Sequence, residues 1–245
     1  MRLSRIYLNS DLELQCRVEL PTAAAHYVKN VLRLKGGQQI ILFNGKDSHE
    51  FTCQIEFARK AVSAIPLVMT EKKLESPIHS TLIQALGKPE HIDFMVQKST
   101  ELGVNKITLF NSERTQHHLK AERLQKKLEH WQGIMISACE QCGRNTLPEI
   151  EFITGLECAL KSSPASDKIL LDFAGAGFQQ ISSKFDSGNS FVMLIGAEGG
   201  LSETEIQQAS QAGFIPCRMG PRVLRMETAA IAILALVQHQ FGDMS

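Results

Sequence analysis

From residue 79 onward, short apolar runs alternate with longer stretches whose apolar positions recur every three to four residues. Five runs predict strands: STLIQAL (80–86), KITLFN (106–111), KILLDF (168–173), SFVMLIG (190–196) and GFIPCRMG (213–220). The spacing predicts helices over HIDFMVQKSTELG, KAERLQKKLEHWQGIMISACEQ, SETEIQQASQA and METAAIAILALVQHQF. Strand–helix alternation of this kind implies an α/β fold with a mostly parallel sheet. Ligands then gather at the carboxyl ends of the strands, so the loops after residues 173, 195 and 219 are the first candidates for a site.

The first 72 residues read differently. QQIILFNGKDSHEFTCQIEF holds two strand-like runs joined across Asn44-Gly45, a dipeptide suited to a tight hairpin. Before it, Ala23 to Leu34 has helical spacing at Tyr27, Val31 and Leu34 and ends at Gly36-Gly37. A small β-barrel with one helix is expected. The polar, proline-containing stretch KKLESPIHS (72–80) reads as a linker, which divides the chain into domains 1–72 and 73–245.

Composition narrows the class. With 43% hydrophobic and 21% charged residues, the chain has the make-up of an ordinary globular protein. Its longest apolar run, AAIAILALV (229–237), falls short of the roughly 18 residues that cross a bilayer, so no membrane partner is expected. The N-terminal stretch lacks the apolar core of a signal peptide, and the six cysteines are scattered, which together point to the cytoplasm and to reduced thiols. Net charge is zero, but residues 1–72 carry ten basic against seven acidic side chains and the remainder sixteen against nineteen. That asymmetry permits a basic N-terminal face.

Two loops carry the candidate chemistry. In IGAEGGLSETE (195–205), three glycines stand between a strand and a helix opened by the capping box Ser202…Glu205. The glycines serve either a tight turn or the close approach of a ligand to backbone N–H groups at a helix start. MGPRVLRMETAAIAILALV (219–237) repeats the plan, with Arg222 and Arg225 before a helix so apolar that it must be buried on most sides, within the domain or against a second subunit. Those arginines suit either a phosphate or polar substrate, or surface ion pairs. DFAGAGF (172–178) superficially suggests a Rossmann glycine loop. Gln180 replaces the third glycine, so a dinucleotide site there is disfavoured. The Cys139–Cys142 pair sits late in a helical stretch, and no metal site is expected.

Taken together, IGAEGG and MGPRVLRMETA resemble the SPOUT methyltransferases, and most closely the bacterial 16S ribosomal RNA uridine-N3 methyltransferase family. HYVKNVLRL, GKPEHIDFMVQKSTELGVNKITLF, SERT and ACEQCGR extend the similarity over nearly the whole chain. Ala197 departs from the pattern, standing where the family usually has proline. The resemblance implies a PUA-like β-barrel followed by a trefoil-knotted α/β domain, with S-adenosylmethionine held largely by backbone groups of the two loops. It also implies a homodimer acting on 16S ribosomal RNA, free or in the assembled small subunit.

On that resemblance, cofactor contacts are expected from Ile195, Gly196, Glu198, Gly199 and Gly200 in the first loop and from Met219, Gly220, Val223, Leu224 and Thr228 in the second. Methylating an imide nitrogen requires loss of its proton. Arg225 is the candidate cation for the developing anion, and Glu227 or Glu198 the candidate acceptor or orienting group; both acids also fit as helix N-terminal carboxylates. Candidate RNA contacts are Lys88, Lys98, Arg114, Arg144 and Arg222, extended across the barrel by Arg5 and Arg33. Two other readings remain at this point: a dimeric RNA-binding module without catalysis, and a nucleotide-dependent oxidoreductase using DFAGAGF.

Overall fold

The strand signals from residue 79 onward fall into a six-stranded parallel sheet in the computed structural model, which describes residues 3–59, 61–116, 118–162, 167–185 and 189–244. The chain forms two compact units, Met1–Glu75 with Cys139–Leu147, and Ser76–Ala138 with Pro148–Ser245.

The first unit contains β1 (Arg5–Tyr7), β2 (Val18–Glu19), α1 (Thr22–His26), β3 (Gln39–Phe43), β4 (His49–Phe57) and β5 (Val62–Glu71). They form a curled mixed sheet in the order β1-β3-β4-β5-β2, a half-barrel, with β1 parallel to β3 and the other pairs antiparallel. Alternate residues of β3 and β4, among them Ile40, Leu42, Phe51, Cys53 and Ile55, close its core. The β3–β4 connection is longer than the tight turn expected at Asn44-Gly45. Gly45 has φ +78° and bridges Thr146, and a Cβ on it would stand 2.8 Å from the Tyr7 ring and 2.9 Å from Leu147. The glycine therefore admits the 143–147 loop rather than closing a hairpin. The helix expected over Ala23–Leu34 passes after His26 into a π-helical turn, Tyr27–Val31, where the Leu32 N–H reaches back to the Tyr27 carbonyl at 2.9 Å. Arg33 then takes a left-handed φ of +52°.

The second unit contains β6 (His79–Ala85), α2 (Pro89–Glu101), β7 (Lys106–Phe110), most of α3 (Ala121–Cys142), β8 (Glu149–Ile153), α4 (Leu156–Lys161), β9 (Asp167–Gly177), α5 (Phe178–Ser182), β10 (Ser190–Ile195), α6 (Glu203–Gln211), β11 (Ile215–Arg218) and α7 (Met226–Phe241). The strand order is β11-β9-β10-β6-β7-β8, all parallel. Central strands β10 and β6 are buried on both faces, which is why SFVMLI and STLIQA read as continuous rather than alternating runs. One face is covered by Met95, Val96, Ile233, Leu234 and Val237 from α2 and α7, and the other by Ala159, Leu160, Ala209 and Phe214.

The β9–β11 register shifts and frees a short segment of β9 from its pairing with β11. Ile169 and Leu170 pair with Ile215 and Pro216, but Cys217 pairs next with Ala176, leaving Leu171–Gly175 outside the ladder. Gly175 permits the return, because a Cβ there would lie 2.5 Å from the Cys217 nitrogen. No helix among the described residues is long and apolar enough to cross a membrane.

Candidate functional site

At the carboxyl ends of β9, β10 and β11, within the second unit, lies a cavity of about 740 Å³. Three segments wall it: Leu171–Phe173 in the part of β9 not paired with β11, the glycine loop 195–201 at the end of β10, and 219–226 leading from β11 into α7. Apolar walls from Ile195, Leu171, Leu224 and Met226 combine with polar groups at the rim, the composition of a small-molecule site.

Physical constraints explain the glycine loop residue by residue. A Cβ on Gly196 would stand 2.8 Å from the carbonyl carbon of Gly200, so this glycine serves the turn itself. Gly200, at φ +71°, donates to the Ala197 carbonyl at 2.9 Å, and a Cβ on it would meet no protein atom within 4 Å. It lines the cavity, so the missing side chain leaves free space there. Ala197 keeps the backbone carbonyl that closes the turn and buries its methyl beside Leu201 and Phe214, so the loop holds its shape without proline. Behind it, Ser202 and Glu205 complete the capping box in both directions, at 3.1 and 2.8 Å. The other Glu205 oxygen accepts the Glu113 N–H at 3.0 Å, which ties the loop after β7 to the same helix start.

The two candidate acids converge on a residue the sequence did not single out. Glu198 Oε1 accepts the Lys88 N–H at 3.0 Å and lies 3.2 Å from His91 Nδ1. Burial pushes the pKa of this carboxyl up, but the Lys88 N–H, its own N–H and His91 outweigh that effect and hold it below the usual value. Glu198 is thus an anion committed to donors, which weakens the case for it as a proton acceptor. Glu227 is buried in the first turn of α7, with Oε2 3.7 Å from His91 Nδ1 and without a hydrogen bond. It lies outside the lining of the cavity. Gly87 makes room for the assembly, since a Cβ there would lie 2.5 Å from Met226 Sδ and 2.8 Å from Glu198 Oε2.

Of the remaining expected residues, Met219, Val223, Leu224 and Arg225 line the cavity, whereas Gly220 and Thr228 do not. Arg225 is the N-cap residue of α7, exposed and without an ion-pair partner among the described residues. Lys88, Arg114 and Arg222 also line the cavity. Arg33 is exposed. Lys98 is half-buried and bonded to Glu101 at 2.8 and 3.0 Å. Two expected RNA contacts are corrected. Arg5 is buried, paired with Glu50 and bonded to the Arg144 carbonyl and to Asn145 Oδ1. Arg144 is buried and grips Glu75 from Nη2 at 2.6 Å and Nε at 3.1 Å. Both arginines fasten the 139–147 segment into the first unit. The sequence also passed over Leu171, Asp172 and Phe173: with the dinucleotide reading set aside, only their position at a strand end signalled a site.

A family described as the RNA methyltransferase domain matches residues 74–238, and one described as the RNA methyltransferase PUA domain matches residues 20–67. The chain belongs to the RNA methyltransferase family. Within that family, the ribosomal RNA small subunit methyltransferase E of Buchnera aphidicola subsp. Schizaphis graminum is 38% identical over 100% of this chain and 99% of its own length. The Bacillus subtilis protein of the same name is 30% identical over 88% of this chain and 87% of its own. The Neisseria gonorrhoeae ribosomal RNA small subunit methyltransferase E, solved bound to S-adenosyl methionine, superposes with a TM-score of 0.90 at 35% identity over 100% of both chains. An RNA methyltransferase with a fold so similar over its full length favours the methyltransferase reading over a catalytically silent binding module or an oxidoreductase.

Proposed function

We propose that this chain transfers a methyl group from S-adenosylmethionine to N3 of a uridine in 16S ribosomal RNA, as a cytoplasmic homodimer. The observation that carries the reading is the cavity at the strand ends, walled by the glycine loop and the 219–226 segment, in a chain related over its whole length to small-subunit ribosomal RNA methyltransferases. The cavity fits the cofactor. Its volume lies within the range of small-ligand pockets, roughly 300–1,000 Å³, and Gly200 leaves open space at its wall.

S-adenosylmethionine, when bound, supplies an electrophilic methyl group. Ile195, Gly196, Gly199, Gly200, Met219 and Leu224 would hold it by backbone groups and apolar contact. Arg225 acts on the substrate: its guanidinium, without an ion-pair partner among the described residues, stabilises the negative charge that develops as the uridine N3 loses its proton. Arg222, Arg114 and Lys88 place cations on the same rim for phosphate groups of the RNA, and Arg33 offers an exposed cation on the first unit. A dimer is supported by α7, whose Ile231, Ala232, Ala235 and Leu236 are only half-buried in the single chain.

Incubating the protein with S-adenosylmethionine and unmodified small subunits or 16S ribosomal RNA, then mapping methylated nucleosides by mass spectrometry, tests the reading. A single N3-methyluridine is expected. Methylation at another atom or in another RNA would replace the substrate assignment, and no transfer to any RNA would restore the silent-module alternative.

A further inference from the structure

We propose that His91 is a proton-dependent positioning residue: as an imidazolium it holds Glu198 of the glycine loop and Glu227 of α7 to the start of α2, and cofactor affinity follows its charge. The inference rests on the cofactor reading above and assigns a controlling group to the same site.

His91 stands in the first turn of α2, lines the cavity, and is the point where two carboxylates from different elements meet. Glu198 Oε1 lies 3.2 Å and Glu227 Oε2 3.7 Å from the same ring nitrogen, Nδ1. Only one of them can take the Nδ1 hydrogen bond, and the shorter distance gives it to Glu198. Glu227 Oε2 has no hydrogen bond, and His91 is the one ion-pair partner of Glu227 among the described residues. Attraction between Glu227 and the ring therefore depends on the ring's positive charge. A neutral ring keeps the Glu198 bond but leaves a buried carboxylate facing another carboxylate with no cation between them, an arrangement that favours separation of the loop from the helix.

Both tethered elements bear the cavity wall, so their separation reshapes the site. Glu198 sits between Gly196 and Gly199, and Glu227 follows Arg225 and Met226. The surrounding groups do not supply the missing charge. Lys88 contributes its backbone N–H to Glu198, Glu90 is acidic, and Arg114 bonds the Gly199 carbonyl. Arg222 and Arg225, on the 219–226 segment, make no ion pair with either acid, and Asp172 accepts the Ala174 N–H at 3.0 Å. Nor do the other wall groups mimic the response. Glu198 is held anionic by its donors, and burial pushes the Cys217 thiol up to about 11, above the range in which an imidazole titrates.

Calorimetric titration of the full chain with S-adenosylmethionine between about pH 6 and about pH 8.5 tests the proposal, using wild type, His91→Asn and His91→Lys. Wild type should lose about tenfold in affinity toward the alkaline end, the scale of one charge-assisted contact. His91→Asn should bind weakly and evenly at every pH, while His91→Lys, carrying a charge that persists across the range, should bind tightly and evenly. Thermal unfolding of each variant separates a folded weak binder from an unfolded one. A wild-type affinity independent of pH, a His91→Asn profile equal to wild type, or a His91→Lys profile that keeps the wild-type slope overturns the proposal alone. A folded wild type that binds no S-adenosylmethionine at any pH overturns instead the cofactor reading on which it rests.

Discussion

Arg114 donates from Nη1 to the Gly199 carbonyl at 3.2 Å, and a Cβ built on Gly199 would stand 3.4 Å from Arg114 Cβ. The glycine loop is therefore braced on one side by the loop after β7, and the glycines in it have separable duties. Gly199→Val drives a branched side chain against the Arg114 brace and so shifts the loop that lines the cavity. Loss of S-adenosylmethionine binding with a cooperative unfolding transition is expected, read by calorimetry and urea unfolding. Gly196→Ala forces a methyl against backbone atoms instead, at 2.8 Å, and should lower stability by about 1–3 kcal/mol whether or not cofactor is present. Normal cofactor affinity in a folded Gly199→Val protein would remove the loop from the site.

Arg225 is expected to act on the transition state. Arg225→Ala should slow single-turnover methylation by about 10²–10³-fold at saturating RNA, the scale of losing one preorganised donor, with much smaller effects on RNA and cofactor affinity. Lysine should rescue only in part, since it keeps the charge but not the planar fork. An unchanged rate with weaker, less salt-sensitive RNA binding would reassign Arg225 to phosphate contact.

Buried Arg5 and exposed Arg33 should give opposite signatures. Arg5→Ala leaves Glu50 buried with Lys72 as its remaining cation, and should cost about 3 kcal/mol in urea unfolding. In protein that stays folded, the salt dependence of RNA binding should be unchanged. Arg33→Ala should leave stability nearly intact and reduce the slope of log affinity against log salt by about one.

Glu198 predicts an acid-side effect. Because its carboxyl is held below the usual value of 4.5 in the folded chain, it stabilises the fold at pH values above its unfolded titration. That contribution is lost as pH falls through the lower, folded value. Wild type should therefore exceed Glu198→Gln in stability near neutrality, the gap narrowing below about pH 4.5. Urea midpoints measured at several pH values check it; a gap that widens on acidification would contradict the donor arrangement.

The strands and helices of the second unit were legible where periodicity was strong: α7 runs from Met226 to Phe241, over the same residues as the helix expected at METAAIAILALVQHQF. The weaker β8, four-residue spacing in α4 and the short α5 left little pattern to read. Glycine-loop residues were legible because Gly196 and Gly200 answer to local backbone geometry. The role of His91 was not, because its two carboxylate neighbours lie more than a hundred residues away in sequence. Arg5 and Arg144 misled for a similar reason. A basic side chain in isolation suggests an exposed anion site, and only the fold reveals that Glu50 and Glu75 are already there.

The attachment of Cys139–Leu147 to the first unit has a consequence for the order of events during synthesis. Chain elongation delivers β1 to β5 long before Arg144 and Asn145, so Arg5 waits for two of its acceptors and Gly45 for Leu147. The half-barrel can be completed only after the whole intervening stretch, Ser76–Ala138 of the second unit, has been synthesised. A fragment ending at residue 72 would be born without these closing groups, and supplying the 139–147 segment as a separate peptide is the way to restore them.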